Sequence, residues 1–207
     1  ENSEQSPAGL AGAVHVAGDW REPATCREFA EKMDVVTLDH EFAPLKALEA
    51  VGEKLLPTAA TMERIADKLE QKRHLQKAGL LTAESQEFSS TDQLQRIGRE
   101  LGYPLMVKAR HGGYDGKGNL RLDGPDRIED VFQEFTGPLY AERFMEFEME
   151  LAVMVARDCK GNTLCYPVVE TVQENHICVA VQYPADITDE VRQRAEEVGV
   201  EAARAVE

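Results

Sequence analysis

The stretch KARHGGYDGKGN, residues 108–119, places two lysines among four glycines and is the part of the chain best suited to chemistry. Because glycines carry no side chains, their backbone N–H groups can converge on an anion. Lys108 would end a strand and Lys117 would lie inside the loop, so both ammonium groups could neutralise phosphate oxygens. The stretch is not a P-loop, since that motif opens a helix and a strand follows here. A flexible hairpin tip with solvated lysines remains an alternative.

Carboxylates follow in the stretch LYAERFMEFEMELAVMVAR. Glu142 ends one predicted strand, and Glu148 and Glu150 alternate with apolar residues along the next, so they would share one face. A carboxylate can accept hydrogen bonds from both hydroxyls of a ribose, and a strand edge can hydrogen-bond to an adenine. The alternative is the solvent-exposed face of a sheet. Together with the glycine loop, these carboxylates favour a nucleotide site.

The elements that must position these residues change character along the chain. Residues 1–58 show a strand–helix–strand–helix pattern typical of an open α/β sheet, with GAVHVAG and DVVTLD as its strands. The next residues predict a long helix with a break near Asp67–Lys68 and a glycine cap at Gly79. Beyond it, EMELAVMVARD and TLCYPVVETV each predict one strand, and an amphipathic helix closes the chain. The predicted fold class is α/β (α+β), with domains at residues 1–58 and 59–207.

Composition restricts the class of partner. The 207 residues are 43% apolar and carry a net charge of −15, which would repel nucleic-acid phosphates in the absence of a concentrated basic face. No apolar run is long enough for a membrane span, and no secretory signal is visible. The four cysteines lack metal-type spacing and suit reduced thiols. We therefore expect a cytoplasmic protein that binds small molecules, with no nucleic-acid or membrane partner and no metal ligands within this chain.

Five stretches together resemble the ATP-grasp superfamily and, within it, the N5-carboxyaminoimidazole ribonucleotide synthase family, which includes the ATPase part of phosphoribosylaminoimidazole carboxylases. They are DVVTLDHE, DKLEQKRHLQKAGL, LGYPLMVKARHGGYDGKGN, LYAERFMEFEMELAVMVAR and YPVVETV. The resemblance implies an ATP-grasp fold preceded by part of a doubly wound pre-ATP-grasp domain. Its small lobe would span about residues 68–138, and its large lobe would begin at residue 139. It also implies a chain truncated at both ends and inactive alone.

The resemblance further implies which residues bind ATP. Lys68 and Lys108 would contact the phosphates, with Lys108 and Lys117 as the catalytic cations, and residues 113–119 would form a flap over them. The residues implied to bind ATP are Lys68, Lys108, Gly113, Tyr114, Asp115, Gly116, Lys117, Gly118, Asn119, Glu142, Arg143, Phe144, Met145 and Glu150.

Other roles concern the nucleoside and the second substrate. Glu142 and the backbone as far as Met145 would hold the adenine, and Glu150 would bind the ribose hydroxyls. Glu41 is implied as a substrate-binding residue. The family has a histidine where this chain has Gln173, and a basic residue where it has Asp186.

The implied reaction is the ATP-dependent carboxylation of 5-aminoimidazole ribonucleotide with bicarbonate, through carboxyphosphate, in purine biosynthesis. It would use Mg²⁺, with protein ligands expected beyond residue 207, and a homodimer is a further expectation. Two alternatives remain open because of the departures just named. The first is another ATP-grasp ligase or carboxylase with a different acceptor, such as a biotin-carboxylase-like or glycinamide-ribonucleotide-synthetase-like enzyme. The second is a non-catalytic nucleotide-binding relative.

Overall fold

The computed structural model describes residues 7–113, 118–174 and 177–206. The chain divides into two compact units, Glu1–Ala66 and Asp67–Glu207. No helix among the described residues combines the length and the apolar character that crossing a bilayer requires.

The first unit is mainly helical in its described part. Its core contains Leu48, Leu55 and Met62. The predicted strand GAVHVAG is absent, and DVVTLD contributes only one parallel bridge, between Val36 and Leu55. A parallel strand needs neighbours along its whole edge to satisfy its backbone groups, and here the bridge has hydrogen bonds only from Val36 N to Lys54 O and from Leu56 N to Val36 O. The helices are α1 (Pro7–Leu10), α2 (Pro23–Glu31), α3 (Leu45–Val51), a 3-10 turn (Gly52–Lys54) and α4 (Ala59–Ala66).

The second unit begins with a four-stranded antiparallel sheet. Its strand order is β1-β4-β2-β3, so β4 and β2 lie at the centre. The helix break predicted near Asp67–Lys68 is confirmed, because α4 ends at Ala66 and α5 begins at Lys68. The elements are α5 (Lys68–Lys77), β1 (Ser85–Phe88), α6 (Thr91–Leu101), β2 (Leu105–Ala109), β3 (Asn119–Leu122), a 3-10 turn (Pro125–Arg127), α7 (Ile128–Glu134) and β4 (Leu139–Arg143).

The two faces of this sheet have different chemistry. Side chains alternate along a strand, so the odd-numbered residues of β2 and β4 share one face. That face includes Val107 and Ala141, which are fully buried in a core that also contains Leu94 and Ile97 of α6. The even-numbered residues, described with the site below, occupy the opposite face. The apolar layer therefore fixes the sheet while leaving its other face for polar side chains.

The rest of the second unit forms a second sheet, a strand pair and a helix. The second sheet has the order β5-β8-β9, and β6 pairs with β7. The stretches EMELAVMVARD and TLCYPVVETV were each predicted as one strand, and this was wrong, because each is divided between the sheet and the pair. Pro167 lies at one division and has no N–H to donate to a ladder. The elements are β5 (Glu150–Ala152), β6 (Val155–Arg157), β7 (Thr163–Cys165), β8 (Val169–Glu174), β9 (Ile177–Gln182) and α8 (Asp189–Ala205).

Asp67 ties the start of α5 to the end of β2. Its Oδ1 accepts hydrogen bonds from Leu69 N at 2.9 Å and Glu70 N at 3.2 Å, which caps the helix. Arg110 Nε donates to Asp67 Oδ2 at 2.8 Å, and Lys68 N donates to Arg110 O at 2.9 Å. Burial alone would raise the pKa of Asp67, but the hydrogen bonds from Arg110 and the two backbone N–H groups lower this pKa overall. The carboxylate is therefore stabilised in its charged form.

The substitution Asp67→Asn should reduce stability at neutral pH but not at low pH. Asparagine keeps the helix cap and loses the charge that pairs with Arg110. Because the folded-state pKa of Asp67 is lowered, its stabilisation is present above the unfolded pKa of about 3.9 and is lost as pH falls through the folded value. Urea unfolding at pH 7 should show a loss of about 1–3 kcal/mol. A difference that persists unchanged at pH 3 would contradict this explanation.

The substitution Leu94→Ala should destabilise the second unit strongly. Leu94 is fully buried between α6 and the sheet, so truncation removes buried methyl groups and leaves a cavity. We expect the free energy of unfolding to fall by about 2–5 kcal/mol in urea titrations. The exposed neighbour Gln95 provides the control, since Gln95→Ala should change it by less than about 0.5 kcal/mol. Equal effects of the two substitutions would show that α6 does not pack as described.

Candidate functional site

A buried carboxylate lies between two lysines on the polar face of the first sheet. Glu142 is only 7% exposed, and no other charged side chain within residues 7–113, 118–174 and 177–206 is buried. Its Oε1 lies 2.6 Å from Lys108 Nζ, and its Oε2 lies 2.8 Å from Lys72 Nζ. We call these three side chains the Lys–Glu–Lys cluster. An unpaired charge at this depth would be strongly destabilising, and the two ammonium groups compensate the charge of the Glu142 carboxylate.

The strand register brings Lys108 and Glu142 together. In the antiparallel pairing of β2 with β4, Lys108 lies opposite Tyr140 and Met106 lies opposite Glu142. Lys108 and Glu142 are therefore diagonal neighbours on the same face, within reach of a long side chain. Lys72 comes from α5, one helical turn after Lys68.

Tyr140 forms a neutral part of the same face. It is 2% exposed, and this burial raises the pKa of its phenol well above the ordinary value, with the charges of Glu142 and Asp67 adding to the effect. The phenol therefore stays protonated at neutral pH. Polar but uncharged, it lies near both Glu142 of the Lys–Glu–Lys cluster and the Asp67 cap.

The base of the glycine loop lies beside Lys68. Lys68 Nζ donates to Gly113 O at 3.3 Å, and Ala109 N donates to Gly118 O at 2.9 Å. Gly118 has φ of 87°, and a Cβ there would lie 3.2 Å from Gly113 Cα. The two ends of the loop thus approach closely, and a side chain at Gly118 would be both strained by the positive φ and tightly placed against Gly113. Four predicted loop residues lie outside the described residues: Tyr114, Asp115, Gly116 and the predicted catalytic residue Lys117.

Glu150 is the second predicted carboxylate, and its orientation is fixed. It lies opposite Thr171 in the pairing of β5 with β8. Its Oε1 accepts hydrogen bonds from Thr171 Oγ1 at 2.6 Å and from Gln173 Nε2 at 2.7 Å. Within the described residues, both donors approach the same oxygen, which leaves Oε2 able to accept from a ligand. Gln173, which departs from the family resemblance, is therefore a direct partner of a predicted site residue.

The segment after Glu142 presents backbone and apolar groups. The guanidinium of Arg143 donates to Glu84 Oε2 at 2.7 Å and to Leu101 O at 2.7 Å, on the face opposite Glu142. The guanidinium of Arg121 lies over the ring of Phe144, with Arg121 Cζ 4.5 Å from the ring centroid. Met145 follows and is 53% exposed. Any role of Arg143 at the site would thus come through its backbone rather than its side chain.

The remaining predicted residues are less informative. Asn119 begins β3 directly opposite Lys108. Glu41 lies in the first unit, where it is exposed in a turn, and its substrate role stays a prediction. Within the described part of the chain, no three His, Cys, Asp or Glu side chains form a group that could hold a metal ion.

Lys72 is the member of the site that the sequence analysis missed. The spacing could have revealed it, because Lys68 and Lys72 are four residues apart in DKLEQK and share one face of α5. No sequence signal indicated that this face meets β4.

Comparison with known proteins identifies the family to which this chain belongs. The ATP-grasp domain family matches residues 73–207, and the ribonucleotide synthetase preATP-grasp domain family matches residues 1–66. A phosphoribosylaminoimidazole carboxylase of Ogataea methanolica is 38% identical over 204 residues, which cover 95% of this chain and 38% of that relative.

Two solved structures from Aspergillus clavatus are similar over 98% of this chain and 55% of theirs. One is a carboxyaminoimidazole ribonucleotide synthase complexed with ATP, 38% identical with a TM-score of 0.91. The other is an N5-carboxyaminoimidazole synthase in complex with ADP and 5-aminoimidazole ribonucleotide, 37% identical with a TM-score of 0.90. The chain therefore spans about two fifths of the curated relative and about half of these solved chains. The predicted fold is confirmed, and the chain belongs to the ATP-grasp family, with a pre-ATP-grasp domain before it.

Proposed function

We propose that this protein binds ATP on the polar face of the first sheet and uses it to carboxylate 5-aminoimidazole ribonucleotide with bicarbonate. The observation that carries the proposal is the Lys–Glu–Lys cluster beside Lys68 and the glycine loop, in a chain similar to a structure complexed with ATP. The choice of 5-aminoimidazole ribonucleotide as acceptor is supported by the similar structure that holds it together with ADP.

The phosphates would lie where the cations converge. Lys108 projects from β2 and Lys68 from the first turn of α5, and the backbone of residues 112–113 runs beside Lys68. Lysine ammonium groups on rigid elements neutralise phosphate oxygens, and the glycine backbone can approach them closely. The loop between Gly113 and Asn119 would cover the triphosphate, with Lys117 contributing a further charge.

The nucleoside would extend from Glu142 towards Glu150. Glu142 Oε2 is buried and lies 2.8 Å from Lys72 Nζ. A carboxylate oxygen has more than one acceptor site, so a ligand N–H or O–H would find a second one there. The backbone through Met145 would face the adenine, and Glu150 Oε2 would accept from the ribose hydroxyls.

The chemistry would proceed in two displacements. A bicarbonate oxygen attacks the γ-phosphorus and the bond to ADP breaks, which gives carboxyphosphate. The amine of the ribonucleotide then attacks the carboxyl carbon, loses a proton and expels inorganic phosphate. Lys68 and Lys108 would stabilise the negative charge on the transferring group, so the protein contributes mainly positioning and charge neutralisation. The described residues do not form a Mg²⁺ site by themselves, and we assign no step to the metal.

A different acceptor is the second candidate. It is favoured by Gln173, which bonds to Glu150 where the resembling family has histidine, and by Asp186, which is exposed where that family has a basic residue. The two candidates can be separated by NMR after the full-length protein is incubated with ¹³C-bicarbonate, ATP and 5-aminoimidazole ribonucleotide. A carboxylated ribonucleotide supports the proposal, whereas ATP binding without any labelled product supports another acceptor or a non-catalytic relative.

The substitution Lys108→Ala should weaken ATP binding by at least about 10-fold, or about 1.4 kcal/mol, because it removes a cation from the phosphate site. Isothermal titration of the full-length protein measures the dissociation constant. Lys160→Ala, in an exposed turn, is the control and should leave it unchanged. A folded Lys108→Ala variant with wild-type affinity would refute the phosphate assignment.

The substitution Glu150→Ala should abolish discrimination between ATP and 2′-deoxy-ATP. In the wild-type protein, a hydrogen bond from the ribose 2′-hydroxyl to Glu150 should favour ATP by about 5-fold or more. Competition titrations with both nucleotides give the two affinities. If the alanine variant keeps the wild-type preference for ATP over 2′-deoxy-ATP, a group other than Glu150 binds the 2′-hydroxyl.

A further inference from the structure

Lys72 has no role in the proposed reaction, yet it is well placed in the cluster. Its side chain is 19% exposed, less than the 27% of Lys108, and its ammonium group lies 2.8 Å from Glu142 Oε2. The two lysines contact different oxygens of one carboxylate. One lysine can therefore leave without disturbing the contact made by the other.

Lys108 has two competing anionic partners, the Glu142 carboxylate and the proposed ATP phosphates. In the structure described here Lys108 pairs with Glu142, whereas the proposed function requires it to reach ATP phosphates. Without another partner, Glu142 would become a buried, uncompensated carboxylate when Lys108 turns away, which is strongly unfavourable. Lys108 would then be retained by Glu142 and would be a poor phosphate ligand.

We propose that Lys72 is a positioning residue, which keeps Glu142 neutralised so that Lys108 can exchange this carboxylate for the nucleotide phosphates. The inference rests on the proposed function and deepens it. It distinguishes two lysines one turn apart on α5, since Lys68 Nζ contacts Gly113 O at the loop base and Lys72 contacts the sheet. Lys72 thus acts on ATP binding through Glu142, without contacting the nucleotide.

A double-mutant cycle on ATP affinity tests this role in the full-length protein. Lys72→Met should weaken ATP binding by about 10-fold. Lys72→Arg should keep the affinity within about 3-fold of the wild-type value, because arginine keeps the positive charge. In the Glu142→Gln background there is no carboxylate to neutralise, so Lys72→Met should change the affinity less than about 2-fold. Lys77→Met, at the exposed end of α5, is the matched control and should have no effect.

Each outcome has a distinct meaning. Equal losses from Lys72→Met in both backgrounds would overturn the inference by showing that Lys72 contacts the nucleotide itself. Unchanged affinity in the Lys72→Met variant would overturn it as well. If Lys72→Met alone does not fold, the ATP affinities of Glu142→Gln and of the Lys72→Met/Glu142→Gln double variant can still be compared, because both lack the buried carboxylate. Equal affinities of these two variants support the inference, and a weaker affinity of the double variant overturns it. If the wild-type protein binds no ATP, the proposed function fails; if it binds ATP and the cycle is additive, only this inference fails.

Discussion

The buried carboxylate of Glu142 is the constraint on which the second unit depends. A charge at this depth is tolerated only if opposite charges meet it with good geometry. The antiparallel register of β2 and β4 brings one ammonium group, and the packing of α5 brings the other. The apolar layer beneath, formed by α6, α7 and the other face of the sheet, holds those strands in place. Packing on one face therefore makes the electrostatics of the other face possible.

Much of this could be predicted from local sequence signals. The helix break at Asp67 follows from its capping side chain, and the cap at Ser90 follows from the same chemistry, with Ser90 Oγ accepting from Gln93 N. Glu142 was predicted at the end of a strand, and it lies next to the last residue of β4. The two strands that flank the glycine loop were also predicted correctly, since β2 and β3 pair as a hairpin. Each of these depends on residues a few positions apart.

The features that escaped prediction depend on distant residues. In the sequence, Lys72 is indistinguishable from a solvated lysine on a charged helix. Its contact with Glu142 of β4 depends on the packing of α5 in the folded unit. The hydrogen bond from Gln173 to Glu150 joins positions on separate strands, and single-sequence patterns carry no information on that pairing. The same limit applies to DVVTLD, whose apolar run indicated a strand although only Val36 forms a bridge. Periodicity in the sequence indicates which face of a strand is apolar. The residues at which the strand begins and ends depend on its pairing with neighbouring strands.

The short connection between the two carboxylates has a thermodynamic consequence. Residues 144–149 connect the end of β4 in the first sheet to the start of β5 in the second, with Met145 and Phe147 largely exposed. A nucleotide that engages both Glu142 and Glu150 would fasten this connection at both ends and restrict its backbone. That loss of conformational freedom opposes binding. The affinity for the ligand would therefore depend on the stiffness of this connection.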